Sequence, residues 1–69
     1  MDFIWEPGFA ISARIDGGQI VISANREGLT SLANHLLALA KEPAGTHIHL
    51  DEHNSLEDGS YELVIELVS

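Results

Sequence analysis

FAISARIDGGQIVISA, residues 9 to 24, alternates apolar and polar side chains, breaks at Asp-Gly-Gly, and then alternates again. A period of two is the signature of a strand whose successive side chains point to opposite faces. Phe9, Ile11, Ala13 and Ile15 fall on one face of the first strand, and Ile20, Ile22 and Ala24 are the matching inward set of the second. Between them, Asp16-Gly17-Gly18 supplies the positive φ values of a tight two-residue turn. The stretch predicts a β-hairpin.

Downstream of the hairpin the period changes. Leu29, Leu32, Ala33, Leu36, Leu39 and Ala40 recur at the spacing of an amphipathic helix, predicted over residues 26–42. Asn25 is the natural N-cap, because its side-chain oxygen can accept an amide at the helix start. Glu27 in the first turn and Lys41 in the last would complement the helix dipole. Pro43 and Gly45 end the helix. Leu37 falls at the edge of the apolar stripe, and Asn34, His35 and Ala38 fall outside it, with His35 expected in solvent. Period two returns over Thr46 to Glu52, a polar loop covers residues 54–59, and a last strand runs from Tyr61 to Val68. The expected fold is α+β, in the order ββαββ, with one helix on one face of an antiparallel-rich four-stranded sheet. The whole chain, residues 1–69, reads as one domain, with residues 1–8 as an N-terminal extension.

Composition narrows the functional classes. Eleven acidic residues against Arg14, Arg26 and Lys41 give a net charge of −8, which argues against nucleic acid, whose phosphates need a basic stripe. No apolar run approaches the ~20 residues that span a bilayer, and the acidic N-terminus lacks the features of a signal peptide. A cytoplasmic protein is expected. There is no cysteine, so disulfides and thiolate metal sites are excluded. Nothing resembles a phosphate-binding loop or a nucleophile elbow, so no catalytic residue and no cofactor is expected.

A single helix leaves the second sheet face open. Val21, Val64 and Val68 on that face are more apolar than solvent requires, and Phe3 and Trp5 precede the hairpin. The N-terminal segment, a second subunit or a partner is expected to cover it. A homodimer is the expected solution for a chain with so thin a core.

The open face also carries the chain's densest polar cluster, His47-x-His49-x-Asp51-x-His53. With Ile48 and Leu50 turned toward the helix, His47, His49 and Asp51 point the other way. Two histidines at i and i+2, about 7 Å apart along a strand, can converge on one metal. The last strand adds a carboxylate in either of two registers, His47 opposite Glu66 or His49 opposite Glu62. A His-His-carboxylate set suits zinc, and an ordinary cross-strand His–Glu pair uses the same geometry. A small metal-binding protein is therefore one alternative reading, and a dimer enclosing a small ligand is another.

Three runs point to a family. Asn25-Arg26-Glu27-Gly28-Leu29 leads into Ser31-Leu32-Ala33 and Leu36-Leu37-Ala38-Leu39-Ala40. His47-Ile48-His49-Leu50-Asp51-Glu52 comes second, and Leu56-Glu57-Asp58-Gly59-Ser60-x-Glu62-Leu63-x-Ile65-Glu66 third. Together, over about Ile15 to Val68, they resemble the Imm32 family of small bacterial proteins, regarded as immunity proteins of polymorphic toxin systems. The resemblance implies a non-enzymatic cytoplasmic protein that binds and neutralises a cognate toxin domain, and it assigns no binding residues. Many toxin domains are nucleases with basic channels, to which an acidic partner is drawn quickly. The partner-binding set expected on that ground is His47, His49, Asp51, Glu52, His53, Glu57, Asp58, Glu62 and Glu66.

Overall fold

A computed structural model describes residues 4–69; Phe3, expected to help cover the open face, lies outside the described residues. The elements follow in the order β1 (Ile11–Asp16), β2 (Gln19–Ala24), α1 (Arg26–Leu39), β3 (His47–Leu50) and β4 (Leu63–Glu66). β1 and β2 form the expected antiparallel hairpin, with Asp16 paired to Gln19 across a turn in which Gly17 and Gly18 have φ of 55° and 82°. Two consecutive positive φ values give a turn whose twist matches that of the strands it joins.

The four strands do not form one sheet. β1 pairs with β2, and β3 pairs antiparallel with β4, as two separate two-stranded sheets. The reason lies in residues 57–61, which run beside the free edge of β1. Glu57 N–H donates to the Ile11 carbonyl at 2.8 Å, and Tyr61 N–H to the Ala13 carbonyl at 2.9 Å. Four residues of this segment thus span two of β1, a spacing no regular ladder has. Ala13 N–H turns instead to the Ser60 hydroxyl oxygen at 3.2 Å. The hairpins are stitched side by side, but the predicted sheet is interrupted at the seam.

Asn25 caps α1 as expected, its Oδ1 accepting from Gly28 N–H at 2.8 Å. The same oxygen accepts from Ala10 N–H at 3.0 Å, and Nδ2 donates to the Gly8 carbonyl at 3.0 Å. One side chain thereby ties the helix start to the chain entering β1. Replacing it with alanine should cost about 2 kcal/mol, the upper end for an N-cap. Asn25→Asp, which keeps Oδ1, should recover most of that loss in urea titrations. The helix stops at Leu39 with Ala40 as C-cap, so Lys41 lies past its end and the last turn holds no base.

The seat of α1 differs from the predicted stripe. Gly28, Ser31, His35 and Leu39 are buried, while Leu29 and Leu36 are about half exposed. At 100° per residue the buried line is turned roughly a quarter-turn from the centre of the leucine pattern. Two contacts fix this seat. Gly28 has no side chain, so the helix backbone can rest on Ala10, Ile11 and Ala24. The N-terminal segment then occupies the flank next to the buried line: Asn34 Nδ2 donates to the Ile4 carbonyl at 3.3 Å, and Glu6 N–H to Ser31 Oγ at 2.8 Å. Trp5 and Phe9, stacked at 4.5 Å, pack onto a core of Ile11, Ala13, Leu50 and Leu56. The segment therefore covers the helix side, and not the open sheet face for which it was one of three candidates.

Candidate functional site

Register settles the arrangement of the histidine strand. His47 lies opposite Glu66 and His49 opposite Val64. Ile48 and Leu50 are buried and the two histidines exposed, as alternation requires. His49 nevertheless reaches diagonally to Glu62, donating from Nδ1 to Oε2 at 3.2 Å. Both side chains are about half exposed, so the pair contributes at most about 1 kcal/mol. His47 Nδ1 donates to the Gly45 carbonyl at 3.3 Å, and the two imidazoles meet edge to face, with centroids 5.0 Å apart.

This geometry bears on the metal reading. Two imidazoles with engaged Nδ1 atoms offer two Nε2 ligands, whereas zinc takes three or four from protein. Among the described residues, no group of three or more His, Cys, Asp or Glu side chains could hold a metal ion.

The loop after β3 is closely tied. Asp51 Oδ1 accepts from His53 N–H at 2.9 Å and Asn54 N–H at 3.1 Å. Asn54 returns the contact, with Oδ1 accepting from Asp51 N–H and Nδ2 donating to the His49 carbonyl, both at 2.9 Å. Glu52 Oε2 takes Gly59 N–H at 2.6 Å. Leu56, placed by the sequence in a polar loop, is buried and anchors that loop to the core. Asp51 and Glu52 are thus occupied in holding the loop, while Glu57 and Asp58 stand exposed on its far side and Glu62 and Glu66 on or beside β4. The His53 side chain is exposed at the loop tip.

A hollow of about 360 Å³ opens along β3, lined by Trp5, His35, His47, Ile48, His49, Leu50 and Asn54. It sits at the edge of β3 away from β4, where no strand pairs among the described residues and where Asn54 already holds the His49 carbonyl. Leu67 N–H donates to Thr46 and Gly45 N–H to Leu67, so ladder alternation directs the backbone groups of His47 and His49 away from β4, toward that edge.

His35 was expected in solvent and is instead buried, 1% exposed, its ring edge-on to Trp5 with centroids 3.9 Å apart. The helical period alone could not reveal this, since the aromatic that covers it lies outside the helix. Burial lowers the His35 pKa from its ordinary 6.5, because desolvation penalises the charged ring. The unfolded chain then binds the extra proton first, so stability is full above pH 6.5 and falls as the pH drops below it. One proton makes the slope at most about 1.4 kcal/mol per pH unit. Urea titrations followed through Trp5, the single tryptophan, should show this acid-side loss in the wild type. In His35→Gln it should be shallower.

Charge is sharply divided along the chain. Residues 42–69 hold seven acids (Glu42, Asp51, Glu52, Glu57, Asp58, Glu62, Glu66) and no Lys or Arg, a net −7. Residues 10–41 hold Arg14, Arg26 and Lys41 against Asp16 and Glu27, a net +1. The acidic half is the one that contains the histidine strand, its free edge and the tied loop.

All but the last residue of that half lies inside a family match. The model for Imm32, Immunity protein 32, covers residues 19–68 of the 69. The chain belongs to the Imm32 family. That assignment takes in β2, α1, β3 and β4, and leaves out residues 4–10 and β1, where Trp5 and Ile11 supply core contacts. No match was found among curated proteins or solved structures. No helix among the described residues is long and apolar enough to cross a membrane.

Proposed function

We propose that this protein is an immunity protein that binds and neutralises a cognate bacterial toxin domain in the cytoplasm, as part of a polymorphic toxin system and without catalysis of its own. The family match supports the class. The observation that carries the choice of surface is the division of charge, with seven acids and no Lys or Arg in the half that also presents the outer edge of β3. Glu57, Asp58, Glu62 and Glu66 steer a basic surface toward this end. With the His49 carbonyl held by Asn54, the backbone of His47 and the amide of His49 then pair with the partner, the hollow beside them receiving one anchoring group. Asp51, Glu52 and Asn54 keep the loop in one conformation, so little ordering entropy is lost on binding.

Titrating the purified protein into the toxin domain encoded beside it tests this directly. Activity should fall linearly to zero at one equivalent, as for a tight stoichiometric inhibitor. Absence of a complex at low salt would refute the assignment.

A further inference from the structure

The leucine pattern of α1 marks a surface that stays exposed among the described residues. Sequence periodicity centres the apolar stripe near Leu29 and Leu36, yet the seat on Gly28 and the N-terminal segment bury the line beside it. On the helical wheel, Leu29, Ala33, Leu36 and Ala40 share one flank, opposite the flank held by Ile4 and Glu6. Trp5 and the hollow place that N-terminal segment on the β3 side. The leucine flank therefore looks toward β2, the outer strand at the other end.

β2 is exposed on that same side. Ile15, Ile20 and Ile22 share the sheet face of the buried Ile11 and Ala13 but extend beyond the helix, and are 60%, 76% and 43% exposed. Asn25 N–H donates to the Ala10 carbonyl, so ladder alternation turns the backbone groups of Ile20 and Ile22 outward, to an edge with no partner strand among the described residues. Exposed edges are normally blunted by lysine, proline or a bulge. Gln19-Ile20-Val21-Ile22-Ser23-Ala24 contains no charge and no proline, and pairs with β1 without a bulge.

We propose that the free edge of β2 and the leucine flank of α1 form the contact between two copies of this chain, related by a twofold axis. Antiparallel pairing of β2 with its copy makes a continuous four-stranded sheet and brings the two helix flanks over the paired isoleucines. Such an interface is isologous and closes at two subunits. Charge favours a second copy as the occupant. The half that meets carries a net +1, while the two −7 halves stay at the outer ends. Ile15, Ile20, Ile22, Leu29 and Leu36 leave on the order of 300 Å² of apolar side chain uncovered per copy, an apolar centre for the ~800 Å² each partner gives to a standard interface. Placed here, the dimer lies away from the sheet face of Val64 and Val68 where composition had suggested it, and leaves the β3 edge free.

Sedimentation equilibrium from low micromolar to submillimolar concentration tests the assignment. The wild type should rise from 7.5 kDa toward twice that mass. Ile20→Lys and Leu36→Lys, each at a site exposed in the monomer, should weaken association about tenfold or more (~1.4 kcal/mol), with the helical circular dichroism unchanged. Val64→Lys, on the other sheet face, should leave the dimer intact. A wild type that stays at the monomer mass throughout overturns the proposal. So does a dimer that Val64→Lys dissociates and Ile20→Lys does not.

Discussion

Gly28→Val is expected to destabilise the protein by about 3 kcal/mol or more, and Gly28→Ala by about 2 kcal/mol. The direction opposes helix propensity, which favours alanine over glycine by about 1 kcal/mol in a helix. Packing outweighs that gain. A methyl group at this position would lie 2.5 Å from the Ala10 carbonyl oxygen, 2.9 Å from Ile11 Cγ1 and 3.0 Å from Ala24 Cβ. The first of these atoms is backbone, and the residue after it, Ile11, is fully buried in the core. Relief therefore requires the helix to lift from the sheet, and overpacking of this kind costs about 1–3 kcal/mol, occasionally more. A domain of this size has a total stability of only about 3–10 kcal/mol, and each kcal/mol lowers Tm by about 4–8 °C. Ala33→Gly, on the exposed flank of the same helix, should cost about 1 kcal/mol by propensity alone. Thermal unfolding followed by circular dichroism separates the two. A Gly28→Ala variant as stable as the wild type would mean that the helix does not rest on its backbone there.

The hairpin and the cap were legible because their signals are local. Asp16-Gly17-Gly18 between two alternating runs admits few other structures, and Asn25 precedes the change of period directly. The alternation of residues 47–50 likewise placed Ile48 and Leu50 inside and both histidines outside. What escaped sequence reading depended on segments distant in the chain. A leucine pattern states which side of a helix is apolar, but not which part of that side another segment takes. His35 looked solvent-facing because Trp5, which covers it, is about 30 residues away. Leu56 looked like a loop residue because its partners Ile11 and Ala13 lie in the first hairpin. The four-stranded sheet failed at one place, where Ser60 supplies the acceptor that a strand residue would have given. For the candidate site, residue types were readable, but not their division of labour. Asp51 and Glu52 tie the loop, and Glu57 and Asp58 face solvent from it.

That division leads to the second large effect. Reversing Glu57, Asp58 and Glu66 together to lysine shifts the charge from −8 to −2, since each replacement adds two. None of the three is buried, so the fold should tolerate the change, with surface substitutions of this kind usually within about 0.5 kcal/mol each. Association with a basic toxin domain should slow by about 10- to 100-fold at low ionic strength. Dissociation should change far less, because steering acts on encounter. Reversing Asp16 and Glu27, in the other half, should leave association nearly unchanged. Stopped-flow measurements across a salt series compare the two variants. Equal slowing by both would indicate a response to net charge rather than to this surface.

Amide hydrogen exchange of the protein, alone and bound to the toxin domain, tests most directly where the partner sits. Binding should slow exchange at His47 and His49 and across residues 51–62, and leave β2 and the exposed flank of α1 unaffected. Protection confined to β2 and α1, with the β3 edge still exchanging at its free rate, would contradict the placement of recognition on the acidic half.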